Sequence, residues 1–108
     1  MKEVMYHTDE MAWQEAEGYP AGAKLKVLRE GGPSAGRTVL LKLPPDWEME
    51  AHSHTTVEQH YVLEGEYESQ ARVFTAGSYQ LIPRKTGHGP FATKSGAVIL
   101  VIWDSVGT

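Results

Sequence analysis

The segment HSHTTVEQHYVLEG, from His52 to Gly65, decides how this chain of 108 residues is interpreted. It contains His52, His54 and Glu58, and a further histidine at His60. In a strand, alternate side chains point to one face, so His52 and His54 are expected to project into the same space, roughly 6.6 Å apart along the chain. Glu58 has the same parity and lies beyond a predicted bend, so its carboxylate is available as a third ligand to one ion.

A later segment, GSYQLIPRKTGH, ends in another histidine, His88. This side chain must reach the same space from a different strand or loop, so that the ligands approach an ion from opposite directions. Imidazole and carboxylate together suit iron, manganese, nickel, cobalt, copper or zinc, and disfavour magnesium and calcium. The residue types therefore predict one divalent transition-metal ion per chain and leave its identity open.

Composition excludes several classes of protein. The chain has 10 Lys and Arg against 14 Asp and Glu, with a net charge of -4 and no basic stripe, so nucleic acid is not an expected partner. It has no cysteine, which excludes disulfides, thiolate nucleophiles and zinc-finger sites. The longest uncharged apolar run, Ala97–Trp103, is far shorter than the roughly 20 residues that span a bilayer. No apolar signal segment follows Met1, so we expect a cytoplasmic protein without a membrane partner.

The 11 Gly and 6 Pro residues divide the chain into short pieces, which is typical of a β-sandwich or barrel. The first 22 residues are expected to form a short helix or an irregular arm, with equal support for each. The strongly apolar Ala97–Trp103 reads as a central strand. The predicted strands are Lys24–Arg29, Arg37–Leu43, Trp47–Ala51, Val57–Glu64, Tyr67–Phe74, Tyr79–Ile82 and Ala97–Trp103.

Together the two histidine segments resemble the two motifs of the cupin family. The first motif is a glycine, five residues, H-x-H, three or four residues, E, six residues and G; the second has Gly, Pro and His at fixed intervals. The matching residues are His52, His54, Glu58 and Gly65 in the first motif, and Gly77, Pro83 and His88 in the second.

The resemblance implies an all-β fold, the cupin double-stranded β-helix or jelly-roll barrel. It implies a single cupin domain over 1–108, with residues 1–22 as an arm or short helix and 37–103 as the barrel core that carries both motifs. It also implies a metal site formed by the four residues His52, His54, Glu58 and His88. Cupins commonly form dimers, and the unpaired edge strands of so small a barrel favour a homodimer here.

The chain departs from the family pattern at three positions. Asp46 replaces the opening glycine of the first motif, and aspartate can also adopt a left-handed turn conformation, so this corner should be retained. Lys85 and Ala92 replace a glycine and an asparagine of the second motif. The loop before His88 is therefore expected to differ in shape, although no ligand position is lost.

Three roles are open for His60, which shares the face of Glu58: metal ligand, partner that orients a ligand, or catalytic acid/base in the pocket. Gln59 and Tyr61 should face the other way, Gly65 and Gly77 are interpreted as turn glycines, and His7 as a surface residue. The pocket walls are expected to come from the inward members of Val39, Leu41, Leu43, Tyr79, Phe91 and Ile99.

These features predict a metal-dependent cupin that acts on a small organic molecule, with a dioxygenase-type oxidoreductase as the first hypothesis. The second hypothesis is a module that binds a small molecule or a metal without turnover. An isomerase or epimerase is the third, for which His60 and Tyr79 would supply the acid/base pair.

Overall fold

The computed structural model describes residues 2–32, 35–53 and 55–105. A single 3-10 turn, Thr8–Glu10, is the one helical element among these residues, so the N-terminal segment is an arm. None of the described segments forms a helix long and apolar enough to cross a membrane. The strands are β1 (Gln14–Glu15), β2 (Lys24–Glu30), β3 (Arg37–Leu43), β4 (Trp47–Met49), β5 (Glu58–Ser69), β6 (Arg72–Thr75), β7 (Tyr79–Ile82), β8 (Phe91–Thr93) and β9 (Ala97–Trp103).

All strand pairs are antiparallel, in the order β1-β2-β3-β9-β5-β8-β4, and β6 and β7 also pair with β5. The long strand β5 joins the two layers of the fold. Its first part pairs with β7 and β9, and its last part pairs with β6 and β8. The sheet thereby curls around one apolar core, and the all-β jelly-roll prediction is confirmed.

β9 is a central strand, paired with β3 on one edge and with β5 on the other, and its odd residues from Ala97 to Val101 face the core. Val101 lies opposite Val39, and Ile99 lies opposite Val62; all four side chains are at most 2% exposed. The prediction of a central strand here is confirmed. A strand with neighbours on both sides and a core on one face supplies most of the packing that holds so small a fold together.

A bulge in β5 changes which side chains face the core. The register against β9 shifts between Val62 and Glu64. Before the shift the even residues are buried, ending at Val62, and after it the odd residues Tyr67 and Ser69 are buried. Gly65 lies beside the bulge with φ +75°, inside the strand rather than in the predicted turn.

Several strand predictions differ from the structure. Trp47–Ala51 ends earlier, at Met49, and Val57–Glu64 begins one residue later and continues to Ser69. Tyr67–Phe74 is divided by a turn at Gln70 and Ala71, where both residues have positive φ (53° and 63°) without a glycine, asparagine or aspartate to signal it. The short strands β1 and β8 were not predicted, because their two and three residues carry too little pattern and are held by pairing with longer neighbours.

Both glycine replacements of the cupin motifs keep the conformation that a glycine would adopt. Asp46 has φ 58°, which confirms the expected left-handed corner, and Lys85 also has φ 58°. The left-handed conformation at Lys85 means that this position retains the backbone geometry open to glycine.

Candidate functional site

The two histidine segments meet at a β-bridge between His52 and His88. His52 N donates to His88 O at 2.9 Å, and His88 N donates to His52 O at 2.8 Å. Directly paired residues of antiparallel segments place their side chains on the same face. The two imidazole rings accordingly lie with their centroids 4.2 Å apart.

One hydrogen bond sets the tautomer of His52. Its Nδ1 lies 3.0 Å from the carbonyl oxygen of Glu50. Because a carbonyl oxygen only accepts, Nδ1 carries the hydrogen and donates it, so Nε2 bears the lone pair when the ring is neutral. A backbone bond to one ring nitrogen is the usual way in which proteins orient a metal-binding histidine.

Glu58 and His60 form a buried polar pair at the start of β5. Their side chains are in direct contact through Glu58 Oε2 and His60 Nε2. The other carboxylate oxygen of Glu58 accepts a hydrogen bond of 2.7 Å from the indole Nε1 of Trp103. Glu58 is 2% and His60 6% exposed, so the carboxylate is kept inside the barrel by contacts with Trp103 on β9 and with His60 on its own strand.

A chain of hydrogen bonds continues from His60 towards the surface. The Tyr67 hydroxyl donates to Oε1 of Gln80 at 2.6 Å, so its oxygen is the acceptor for Nδ1 of His60 at 3.2 Å. Burial, and after it the nearby Glu58 carboxylate, raises the pKa of Tyr67 well above its usual range. Tyr67 is therefore neutral: it donates to Gln80 and accepts from His60, and this second bond orients the His60 ring.

A small cavity lies inside the barrel beside this pair. The volume open to the centre of a water-sized sphere is about 20 Å³. The cavity therefore has room for roughly one water molecule. Apart from two tyrosines, the ionisable residues that line the cavity are Glu58 and His60. The lining residues are Tyr19, Leu41, Leu43, Trp47, Met49, Glu58, His60, Tyr67, Phe91 and Ile99.

Phe91 connects the cavity to the histidine pair. Its ring centroid lies 5.0 Å from that of His88, 6.0 Å from that of His52 and 5.9 Å from that of His60. Its ring therefore packs against residues of both polar groups, at the wall of the cavity.

Several of the predicted wall residues lie as expected and others do not. Leu41, Leu43, Phe91 and Ile99 line the cavity, as predicted. Tyr79 is not one of the inward members: it is 53% exposed, on the outer face of β7, where its hydroxyl donates to Gln59 at 2.7 Å. It lies in register with Tyr61, so both belong to the face opposite His60.

Five residues at the site were not predicted, and two of them, Trp47 and Met49, line the cavity from β4. Tyr19 comes from the arm and is not part of a strand, so the alternation of side chains along a strand could not predict that it lines the cavity. Trp103 was interpreted as part of a central strand, and its hydrogen bond depends on the register of β9 against β5. Tyr67 has the opposite parity to His60 and faces the same cavity because of the bulge in β5.

The metal assignment of His52, His54, Glu58 and His88 stays a prediction, because His54 lies outside the described residues. Within the described ranges, no group of three or more His, Asp or Glu side chains is arranged to hold an ion. The donors that are described nevertheless fit a divalent transition metal in kind: two adjacent imidazoles, one of them fixed in tautomer, and a buried carboxylate.

A family model for the ChrR cupin-like domain matches residues 1–106. The chain belongs to this cupin family. No curated protein matches it. The match of the family model extends over both histidine segments of this cupin.

Solved structures with different roles share the fold of this cupin. KdgF from Halomonas sp. is 19% identical, with a TM-score of 0.78 over 95% of this chain and 94% of that chain. An acetylacetone dioxygenase from Acinetobacter johnsonii is 13% identical, with a TM-score of 0.76 over 96% and 74%. A Rhodobacter sphaeroides structure of SigE in complex with the anti-sigma ChrR gives 23% identity and a TM-score of 0.72 over 89% and 51%. Identities this low show a common fold alone.

Proposed function

We propose that this cupin binds one divalent transition-metal ion through His52, His54, His88 and Glu58, and acts as a dioxygenase-type oxidoreductase on a small organic molecule. The observation that carries the proposal is the β-bridge that brings the His52 and His88 rings to 4.2 Å. Packing alone gives no reason to place two imidazoles side by side in this way. The dioxygenase among the similar structures supports the choice of reaction class.

The residues of the chain have distinct tasks in this proposal. When bound, a redox-active ion supplies electron exchange with dioxygen and Lewis acidity. His52 is already oriented by the carbonyl of Glu50, and His88 is held by the two backbone bonds of the bridge. These bonds fix the backbone of both residues and the ring of His52, which lowers the loss of conformational entropy on metal binding.

His60 has the position of a proton carrier rather than a ligand. Its Nδ1 faces the Tyr67 hydroxyl and its Nε2 contacts Glu58 Oε2, so that a proton can lie between the imidazole and the carboxylate. An organic molecule in the cavity would meet this pair, the polar part of a lining that is otherwise apolar or phenolic. His60 can therefore hold a proton next to the substrate, while the surrounding apolar residues exclude water.

A second candidate function is a module that binds without turnover, and the size of the cavity favours its metal-binding form. Space for about one water does not accommodate an organic substrate unless lining side chains move. An isomerase or epimerase loses support, because Tyr79, one of its two expected acid/base residues, faces outward.

The metal assignment predicts opposite behaviour for the two partners Glu58 and His60. In Glu58→Gln the neutral oxygen is a weaker donor, so metal affinity should fall by about tenfold to a hundredfold or more. His60→Gln should keep the ion and lose oxygen uptake with substrate, or ligand affinity if the protein only binds. Elemental analysis and metal titration of both variants, beside His52→Ala and His88→Ala, measure this.

The matched control is His7→Ala, an exposed histidine of the arm, which should bind metal as the wild type does. Full metal occupancy in both His52→Ala and His88→Ala would contradict the site. Retention of the ion in Glu58→Gln with its loss in His60→Gln would mean that ligand and proton carrier are exchanged. Metal binding without substrate-dependent oxygen uptake across a substrate screen would favour the binding module.

A further inference from the structure

Two side chains separate the interior cavity from solvent. Of its ten lining residues, eight are buried, whereas Tyr19 and Met49 are partly exposed. A side chain that faces both a cavity and the solvent forms the wall between them. Tyr19 comes from the N-terminal arm and Met49 from the end of β4, so this wall is made by two separate elements.

The arm holds Tyr19 in place by a compact loop that is anchored to the barrel. Ala16 N donates to Ala23 O at 3.1 Å, and Tyr19 N donates to Ala16 O at 3.3 Å. The indole Nε1 of Trp47 donates to Pro20 O at 3.3 Å, and the ring of Tyr19 lies 6.5 Å from that of Trp47. The loop thus sets the backbone of Tyr19, while its ring packs over the cavity from outside the strands.

The lining determines what the cavity can accept. Its walls are aliphatic or aromatic apart from Glu58, His60 and the tyrosine hydroxyls. Burial, and after it the Glu58 carboxylate, raises the pKa of Tyr19 above its usual range, and these two effects outweigh the lowering by the positive charge of Arg37. The Tyr19 hydroxyl therefore stays neutral. An anionic ligand would lose its hydration beside the Glu58 carboxylate, and a cationic ligand would pair with that carboxylate only by displacing His60 or Trp103.

We infer that Tyr19 and Met49 form the entrance of the interior cavity, and that Tyr19 limits its ligands to small, largely apolar molecules with one polar group facing Glu58 and His60. The cavity has room for about one water, so an organic molecule enters when the Tyr19 ring moves outward. Met49 is unbranched and adapts its shape readily, which suits the opposite side of an entrance. The inference rests on the proposed function in that this cavity is where the organic molecule would lie.

The test uses phenol and the larger 2-naphthol as probes, with protein treated with chelator so that no metal contributes. Affinities are measured by calorimetry and by the shifts of the Phe91 and Ile99 amide signals. Tyr19→Leu and Tyr19→Ala should bind phenol at least about tenfold more tightly than the wild type, because a truncated ring leaves an apolar space that small aromatic molecules fill. 2-Naphthol should bind measurably to the two variants and not to the wild type.

Tyr6→Ala is the matched control, since Tyr6 is a tyrosine of the same arm that is 48% exposed and does not line the cavity. Equal probe affinities in the wild type and in folded Tyr19→Leu and Tyr19→Ala would overturn the inference. If neither Tyr19 variant folds, Met49→Ala opens the same entrance from the other side and should tighten phenol binding, and an unchanged affinity would again overturn it. Metal titration of the wild-type protein in parallel separates the two proposals. If the protein binds no metal but the probe affinities change as expected in the Tyr19 variants, the proposed function alone is contradicted.

Discussion

At the scale of single residues, the Glu58 carboxylate shows how a charge is kept inside a small barrel. Trp103 donates to one of its oxygens and His60 contacts the other. The Arg37 guanidinium lies 5.2 Å from the centroid of the Trp103 ring and also bonds Glu30 at 3.0 Å. A series of contacts therefore leads from a surface ion pair to the buried carboxylate.

Trp103→Phe should lower the free energy of unfolding by about 1–3 kcal/mol, because a buried carboxylate oxygen loses its indole donor while the ring contacts are largely kept. Urea unfolding at neutral pH measures the change. The control is Trp13→Phe, whose ring lies over the ammonium groups of Lys26 and Lys42 and should cost at most about 0.5 kcal/mol. Equal losses in both variants would show that the bond to Glu58 contributes little.

Glu66 gives a pH dependence of known sign. Its burial raises the pKa, but hydrogen bonds from Ser95, Lys94 and Thr93 outweigh this and lower the pKa below the ordinary 4.5. Its contribution to stability is therefore complete above that ordinary value and is lost as the pH falls through the lower, folded-state pKa. The stability difference between wild type and Glu66→Gln should be constant near neutral pH and shrink below pH 4.5.

Thermal unfolding across this pH range tests the Glu66 prediction, with Glu68→Gln, an exposed carboxylate of the same strand, as the control. A difference that grows as the pH falls would show that the protonated form of Glu66 is the one stabilised by the loop.

Residue spacing predicted part of the site and could not predict the rest. The intervals of the two motifs brought His52 and His88 together as expected, because strand parity and the order of the motifs constrain them. Tyr19 depends on how the arm crosses the barrel, and Trp103 on the register of two strands that are distant in sequence. Neither is encoded in local periodicity, so both emerged from the tertiary structure.

At the scale of elements, β5 and the loop before β9 approach each other closely at Gly65. A Cβ atom there would lie 2.0 Å from the carbonyl oxygen of Gly96, and φ is +75°. Gly77 also has a positive φ, +90°, but a Cβ there would meet nothing within 4 Å. The two glycines therefore differ in crowding and share an unusual backbone conformation.

Gly65→Ala should destabilise the protein by at least about 3 kcal/mol or prevent folding, because backbone strain adds to a steric clash. Gly77→Ala should cost about 1 kcal/mol from the backbone conformation alone. Denaturant unfolding of the two variants compares them directly. Similar losses would mean that the strands move apart at Gly65 without a penalty.

The predicted bounds of a strand agree with the structure where one face of the strand packs on the core. Arg37–Leu43, Tyr79–Ile82 and Ala97–Trp103 have the predicted bounds. It failed at Gln70 and Ala71, where pairing of β5 with β6 imposes a left-handed turn on residues that do not favour one. Tertiary pairing there overrides local preference.

At the scale of the whole molecule, one outer face of the sheet is apolar and exposed. Tyr61, Leu63, Tyr79 and Leu81, on β5 and β7, are 43–53% exposed and carry no charge. Taking roughly 200 Å² for a large side chain, they offer about 400 Å², against about 800 Å² per partner in a standard interface. Partly exposed residues of the adjoining β9 extend this face, which we propose as the contact of a homodimer.

The homodimer predicts a mass of twice 12.0 kDa by sedimentation or light scattering at micromolar concentration. Tyr61→Glu with Leu81→Glu should give the mass of one chain, since two carboxylates would be buried without partners. Val73→Glu, at a residue 61% exposed on β6, is the control and should stay dimeric. A wild-type protein that sediments as a single chain would contradict the proposal.

The bulge in β5 also has an evolutionary consequence. Upstream of it Glu58 and His60 face inward on even positions, and downstream Tyr67 faces inward on an odd one. Deletion of one residue between them would turn either the polar pair or the tyrosine out of the barrel. Homologous genes should therefore keep the length of this strand constant. Insertions and deletions are expected at the exposed turn of Gln70 and Ala71 instead. Within the strand, the number of residues between the polar pair and the tyrosine should be conserved even where the residues themselves have diverged.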